Sequence, residues 1–135
     1  VSSNLEDLNP LFRLIAQGII HDTNEKIAPS IIKPAVTFRN IADQAAAKAA
    51  GLSKVQLGWH QFGLAMDVAV ITPEGMYVSD GSDPRYTEFG TAAMVRGCVW
   101  GGSWTDPDYD HCEWHPNFTL TQYLAWLDGH KVATA

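Results

Sequence analysis

Apolar positions along the chain fall into alternating helical and strand periods. Leu8, Leu11, Phe12, Ile15, Ala16, Ile19 and Ile20 recur at helical spacing. Asn9 stands ready as an N-cap and Pro10 as the first helical residue, so a helix is expected that ends near residues 22–24. His21, close to that end, reads as a solvated or capping side chain. Residues 31–38 read as a short strand, which Pro34 confines to an edge or an early position. Asn40 can cap a second helix over residues 41–50, stopped by Gly51. Residues 64–71 are apolar apart from Asp67 and are bounded by Gly63 and by Pro73-Glu74-Gly75, the pattern of an interior strand. That turn leads to a partner strand at 76–78 and so to a hairpin. Asp83-Pro84 opens a third helix that closes at Arg96 and Gly97. Short strands follow at 98–100 and 111–114. Thr119 and Gln122 form a capping box for a last helix carrying Leu120, Tyr123, Leu124 and Leu127 and ended by Gly129. The order predicts one α+β domain over residues 1–135, a small antiparallel sheet flanked by helices.

Asp67 breaks this pattern. An ionised group without a partner inside a strand costs several kcal/mol or more. Asp67 is therefore expected to be protonated, ion-paired or bound to a metal. Alternation puts it on one face with Ala65 and Ala69, while Met66, Val68 and Val70 fill the other.

The composition is that of an ordinary globular domain: 135 residues, 46% hydrophobic and 18% charged. A formal net charge of −6, with no Lys/Arg cluster, argues against nucleic acid or an anionic membrane as partner. The apolar stretches fall short of the roughly 20 residues of a membrane helix, and the N-terminal residues do not read as a signal peptide. The expectation is a soluble monomer without membrane insertion. Cys98 and Cys112 lack a disulfide-framework or zinc-ribbon spacing and read as two buried free thiols. On a strand, Cys112 points away from the face that His111 occupies.

Two further stretches carry chemistry. His60, on a glycine-flanked turn leading into the Asp67 strand, can approach that carboxylate. The segment Asp106-Pro107-Asp108-Tyr109-Asp110-His111-Cys112-Glu113-Trp114-His115 offers two more imidazoles and several acids. Two His and one carboxylate with an open fourth position make a recurring catalytic zinc arrangement. His111 and His115 lie four apart, as in a zincin helix. However, Cys112 stands where that motif has Glu, and Pro116 opposes continued helix. On a strand the two would be about 13 Å apart, too far for one ion, so one of them at most is a ligand. Asp108, three residues before His111, can take a proton from water that attacks a carbonyl. The alternative is that Asp106, Asp108 and Asp110 form a solvated acidic loop or a weak calcium site.

The segments His60-Gln61-Phe62-Gly63-Leu64-Ala65-Met66-Asp67, Trp100-Gly101-Gly102-Ser103-Trp104 and Asp108-Tyr109-Asp110-His111-Cys112-Glu113 resemble signatures of one family. It is the zinc D-alanyl-D-alanine carboxypeptidase and L-alanyl-D-glutamate peptidase family, which includes phage endolysins. Arg39 and Gln44 match its Arg-x-x-x-x-Gln pattern. The resemblance implies a zinc site on the sheet held by His60, Asp67 and His111, with Asp108 as general base and Arg39 near the substrate carbonyl or carboxylate. Gln44, Trp104, Glu113 and His115 are candidates for the shell around it. The implied substrate is the peptide stem of bacterial peptidoglycan, and the expected activity is that of an L-alanyl-D-glutamate endopeptidase of the endolysin type. Such an enzyme would be made in the host cytoplasm and act on the wall after release. The alternatives are a D-Ala-D-Ala carboxypeptidase and a non-catalytic zinc-stabilised binding module. Gly58 stands where the family usually has Ser, which removes a hydroxyl from the substrate's surroundings.

Overall fold

Asn9 and Pro10 start the first helix as the sequence predicts. The Asn9 side chain accepts from the Leu11 N–H, and α1 runs over Pro10–Ile27. The computed structural model describes residues 1–52 and 58–130. Helix α1 outlasts the expected end near residues 22–24 because its buried stripe continues through Thr23 to Ile27. The Thr23 hydroxyl donates to the Ile19 carbonyl at 2.7 Å, so a polar residue is accommodated on the core face without breaking the helix.

Strand β1 (Ile31–Val36) stops short of Phe38, which makes only an isolated bridge with Ser2. Its register shifts between Pro34 and Val36. It lies at the sheet edge, where a proline without an N–H is tolerated. Helix α2 (Ile41–Ala49) is capped by the Asn40 side chain, which accepts from the Asp43 N–H. A 3-10 turn at Trp59–Phe62 leads into β2 (Ala65–Ile71). Then come β3 (Tyr77–Val78), α3 (Pro84–Val95), β4 (Val99–Trp100), β5 (His111–Glu113) and α4 (Leu120–His130). The Thr119–Gln122 capping box forms in both directions, at 2.8 and 3.2 Å. Helix α4 continues past Gly129 to His130, so the glycine does not end it.

The sheet is antiparallel in order β1-β2-β5-β4, with β3 also paired to β2. The predicted faces of β2 are observed. Met66, Val68 and Val70 are buried with Phe12, Ala16 and Ile19 of α1, Phe89 and Ala93 of α3, and Cys112 of β5. Asp67 and Ala69 lie on the less buried face. Cys98 and Cys112 are both buried and free. Among the described residues, no helix is long and apolar enough to cross a membrane.

Candidate metal centre and catalytic cleft

Register brings the candidate ligands together. Asp67 sits directly across from His111 in the β2–β5 ladder, so both side chains project from one sheet face. The Trp59–Phe62 turn ends in Gly63 at φ 67°, a left-handed conformation suited to glycine. A Cβ at Gly63 would lie 2.4 Å from the Trp126 ring, so the turn also packs too tightly against α4 for any side chain. The turn swings His60 over the start of β2.

The Asp67 Oδ1 atom lies 2.8 Å from His111 Nδ1 and 3.3 Å from His60 Nε2. One ligand atom from each of the three residues falls within 4.8 Å of the others. A tetrahedron with metal–ligand bonds of 2.0–2.1 Å has edges of about 3.3 Å. Two imidazole nitrogens and a carboxylate at these separations could therefore hold a divalent transition metal. Among the described residues, the buried His60 Nδ1 has no hydrogen-bond partner.

Burial opposes the charge on Asp67, but the neighbouring His60 charge, then hydrogen bonds from His111 and His60, hold its carboxyl well below the usual range. Burial likewise disfavours the imidazolium of His111. Hydrogen bonds to Asp67 and Glu113 outweigh it and push that ring up to about 10 while no metal is bound. Glu113, buried itself, accepts from His111 Nε2 at 2.8 Å and also contacts His115 Nε2 through its second oxygen. Burial raises its carboxyl, and the bonds from His111 and His115 bring it below the ordinary value. The His115 ring stacks on Trp59 with centroids 4.2 Å apart. His115 lies past the end of β5, and its ring reaches Glu113 rather than the cluster.

The acidic loop is fastened by the Gly101–Ser103 3-10 turn. The Gly101 carbonyl accepts from Trp104 N at 3.2 Å and Asp108 N at 2.9 Å. A Cβ on Gly101 would stand 2.3 Å from the Asp108 carbonyl oxygen, so the close approach of this loop requires glycine. Asp108 is exposed at the rim, and its carboxylate lies within 4.8 Å of those of Asp67 and Asp110. Burial, then a hydrogen bond with Asp108 and the nearby charges of Asp67 and Asp108, push Asp110 up to about 8. Trp104 stands over His111 with ring centroids 5.3 Å apart.

Arg39 also reaches the cluster, with its Nη2 3.9 Å from Asp67 Oδ2 and its Nη1 donating to Gln44 Oε1 at 3.4 Å. The cluster, Arg39, Gln44, Trp104 and Asp108 line one cavity of about 690 Å³. Among its described lining residues Arg39 is the one Arg or Lys. The structure thus brings together the predicted His60, Asp67, His111, Asp108, Arg39, Gln44, Trp104 and Glu113, with His115 behind Glu113. Gln61 was given no role by the motifs, and Asp110 was considered only as part of an acidic loop. The only sequence signal for Gln61 is an amide placed between the aromatic neighbours of an otherwise apolar turn.

An α+β fold whose antiparallel sheet carries a buried His-Asp-His cluster at the floor of an open cleft is the arrangement of a metallopeptidase. Residues 52–114 match the family model described as D-alanyl-D-alanine carboxypeptidase. That segment contains His60, Asp67, Asp108 and His111, while Arg39 and Gln44 lie outside it. The match falls on the segment that holds the cluster and is to the same family that the chain's motifs resemble. The fold is similar to that of the Serratia marcescens L-Ala D-Glu endopeptidase ChiX. The TM-score is 0.64 at 24% identity, covering 83% of this chain and 84% of that one. No curated protein matches the chain.

Proposed function

We propose that the chain is a zinc-dependent endopeptidase that cleaves the L-alanyl-D-glutamate bond in the peptide stem of bacterial peptidoglycan, in the manner of a phage endolysin. The carrying observation is the meeting of His60, Asp67 and His111 in a cleft that is also lined by a carboxylate, Asp108, and a guanidinium, Arg39. The fold likeness to an L-Ala D-Glu endopeptidase and the Asp-x-x-His form of the last motif favour the endopeptidase over the carboxypeptidase. Gly58, without a hydroxyl, weakens any reading centred on a terminal D-Ala carboxylate.

His60 Nε2, Asp67 Oδ1 and His111 Nδ1 would hold the zinc, which supplies a Lewis acid at the scissile carbonyl and lowers the pKa of water. Asp108 accepts the proton of the attacking water and passes it to the leaving amine. Arg39 holds a substrate carbonyl or carboxylate by paired N–H donors. Trp104 and Trp59 wall the cleft, and Glu113, steadied by His115, keeps the proton of His111 on Nε2 so that Nδ1 stays free for the metal.

Digestion of purified muropeptides, followed by mass spectrometry, tests this reading. New L-Ala and D-Glu termini are expected, with free D-Ala-D-Ala left intact. Release of D-Ala as the sole product would establish the carboxypeptidase instead, and no cleavage by zinc-loaded protein would leave a binding module.

A further inference from the structure

The resemblance and the family match leave Gln61 without a role, yet its amide makes three hydrogen bonds beside the cleft. Gln61 is completely buried, between His60 and the left-handed Gly63. Its Oε1 accepts from Gly58 N at 2.5 Å, and its Nε2 donates to the Arg39 carbonyl at 3.1 Å and to Gln44 Oε1 at 3.3 Å. Its own carbonyl accepts from Trp126 Nε1 at 3.1 Å. The partners force the amide's orientation. Gly58 N–H can only donate and the Arg39 carbonyl can only accept, so oxygen and nitrogen cannot exchange places. The same reasoning fixes Gln44, whose Oε1 faces two donors, Gln61 Nε2 and Arg39 Nη1.

An apolar side chain would fill this volume without the cost of burying an amide. What an amide alone can do here is tie three segments together: the link between β1 and α2 at Arg39, the first turn of α2 at Gln44, and the turn that carries His60. Arg39 has a long side chain whose guanidinium is useful only if held in one place, since a misplacement of about 1 Å in a positioned group can cost 10²-fold in rate. We infer that Gln61 is a positioning residue for Arg39. It fixes the Arg39 backbone directly and its guanidinium through Gln44, and so sets the distance between the substrate-facing cation and the His60–Asp67–His111 cluster. The inference rests on the substrate role given to Arg39 above.

Gln61→Glu is the selective probe, because it keeps the acceptor at Gly58 N while replacing the amide donor that faces the Arg39 carbonyl and Gln44. Zinc content per chain should equal that of the wild type. The kcat/KM on muropeptides should fall roughly 10–100-fold, the usual effect of losing a supporting hydrogen bond behind a functional group. The loss should appear in whichever parameter, KM or kcat, Arg39→Ala itself changes. In an Arg39→Ala background the same substitution should cost under about two-fold, since its effect has no remaining carrier. Gln44→Met, which removes the acceptor of Arg39 Nη1 while keeping volume, carries the same cycle should Gln61→Glu not fold. Equal losses in both backgrounds, or loss of zinc that accounts for the lost turnover, overturn the inference. Arg39→Ala with wild-type turnover would instead overturn the substrate role of Arg39, and the inference with it.

Discussion

Glu113→Ala should weaken zinc binding without removing a ligand. Glu113 accepts from His111 Nε2 at 2.8 Å and is itself held by His115. In the metal-free protein Nδ1 donates to Asp67 Oδ1 at 2.8 Å; when that proton leaves for a metal, the bond to Glu113 keeps the remaining imidazole proton on Nε2 and frees the Nδ1 lone pair. Without the carboxylate, the proton can move to Nδ1 and bond to Asp67, which places a hydrogen where the metal must sit. The buried Nε2 side also loses its acceptor. A hydrogen bond to a charged group contributes about 1.5–3 kcal/mol. Mutation of a carboxylate behind a metal-bound imidazole typically costs 10–100-fold in affinity, or about 1.4–2.7 kcal/mol. The two figures overlap, so an affinity loss within that range is expected. Competition against a chromophoric chelator near neutral pH measures it. Glu113→Gln keeps an oxygen acceptor and should lose less than the alanine variant. An alanine variant whose zinc affinity stays within about two-fold of the wild type would refute the reasoning.

Asp108→Asn keeps the shape of the side chain and removes its capacity to accept a proton, so turnover should fall roughly 10²–10⁴-fold with zinc content unchanged, whereas His111→Ala should lose both. Wild-type turnover in Asp108→Asn would end the general-base assignment. Away from the site, the Tyr86 hydroxyl accepts from Val70 N at 3.2 Å and donates to the Val78 carbonyl at 2.7 Å, so Tyr86→Phe should cost about 1–3 kcal/mol in urea unfolding. Burial pushes the Tyr86 hydroxyl from its ordinary value of 10.0 up to about 12. The folded state therefore holds its proton where the unfolded chain releases it, and this stability is complete below pH 10 and lost as pH rises through about 12. The stability gap between wild type and Tyr86→Phe should narrow over that window, and a constant gap would count against it.

The features legible in the sequence are those set by local rules. The N-caps Asn9, Asn40 and Asp83 all accept from the helices they precede, because a short polar side chain before an apolar period has few other uses. One acid in the apolar run of β2 was enough to mark Asp67, since burial makes an unpartnered carboxylate too costly to leave unexplained. The expected end of α1 near residues 22–24 came too early: the Thr23 hydroxyl is satisfied one turn back, and the buried stripe carries the helix on to Ile27. Gly129 misled in the same way: a glycine within a helix costs only about 1 kcal/mol relative to alanine, and the surrounding periodicity carries α4 past it.

What no local rule could supply is register. Spacing along the chain says that His111 and Asp67 each lie on a strand, but only the β2–β5 pairing sets them opposite one another. A slip of one residue would turn His111 into the core and Cys112 toward the cleft. Cys112 is fully buried against Met66, its ladder partner, so packing on the hidden face selects the register that assembles the ligands on the open one. The Gly101 turn fixes the same strand from its other end, because the Asp108 N–H bonds to the Gly101 carbonyl three residues before His111. The candidate metal ligand and the candidate base are therefore held by one short segment. That is the physical reason an acid three residues before a histidine is informative here, when acid and histidine at such spacing in a free loop would not be.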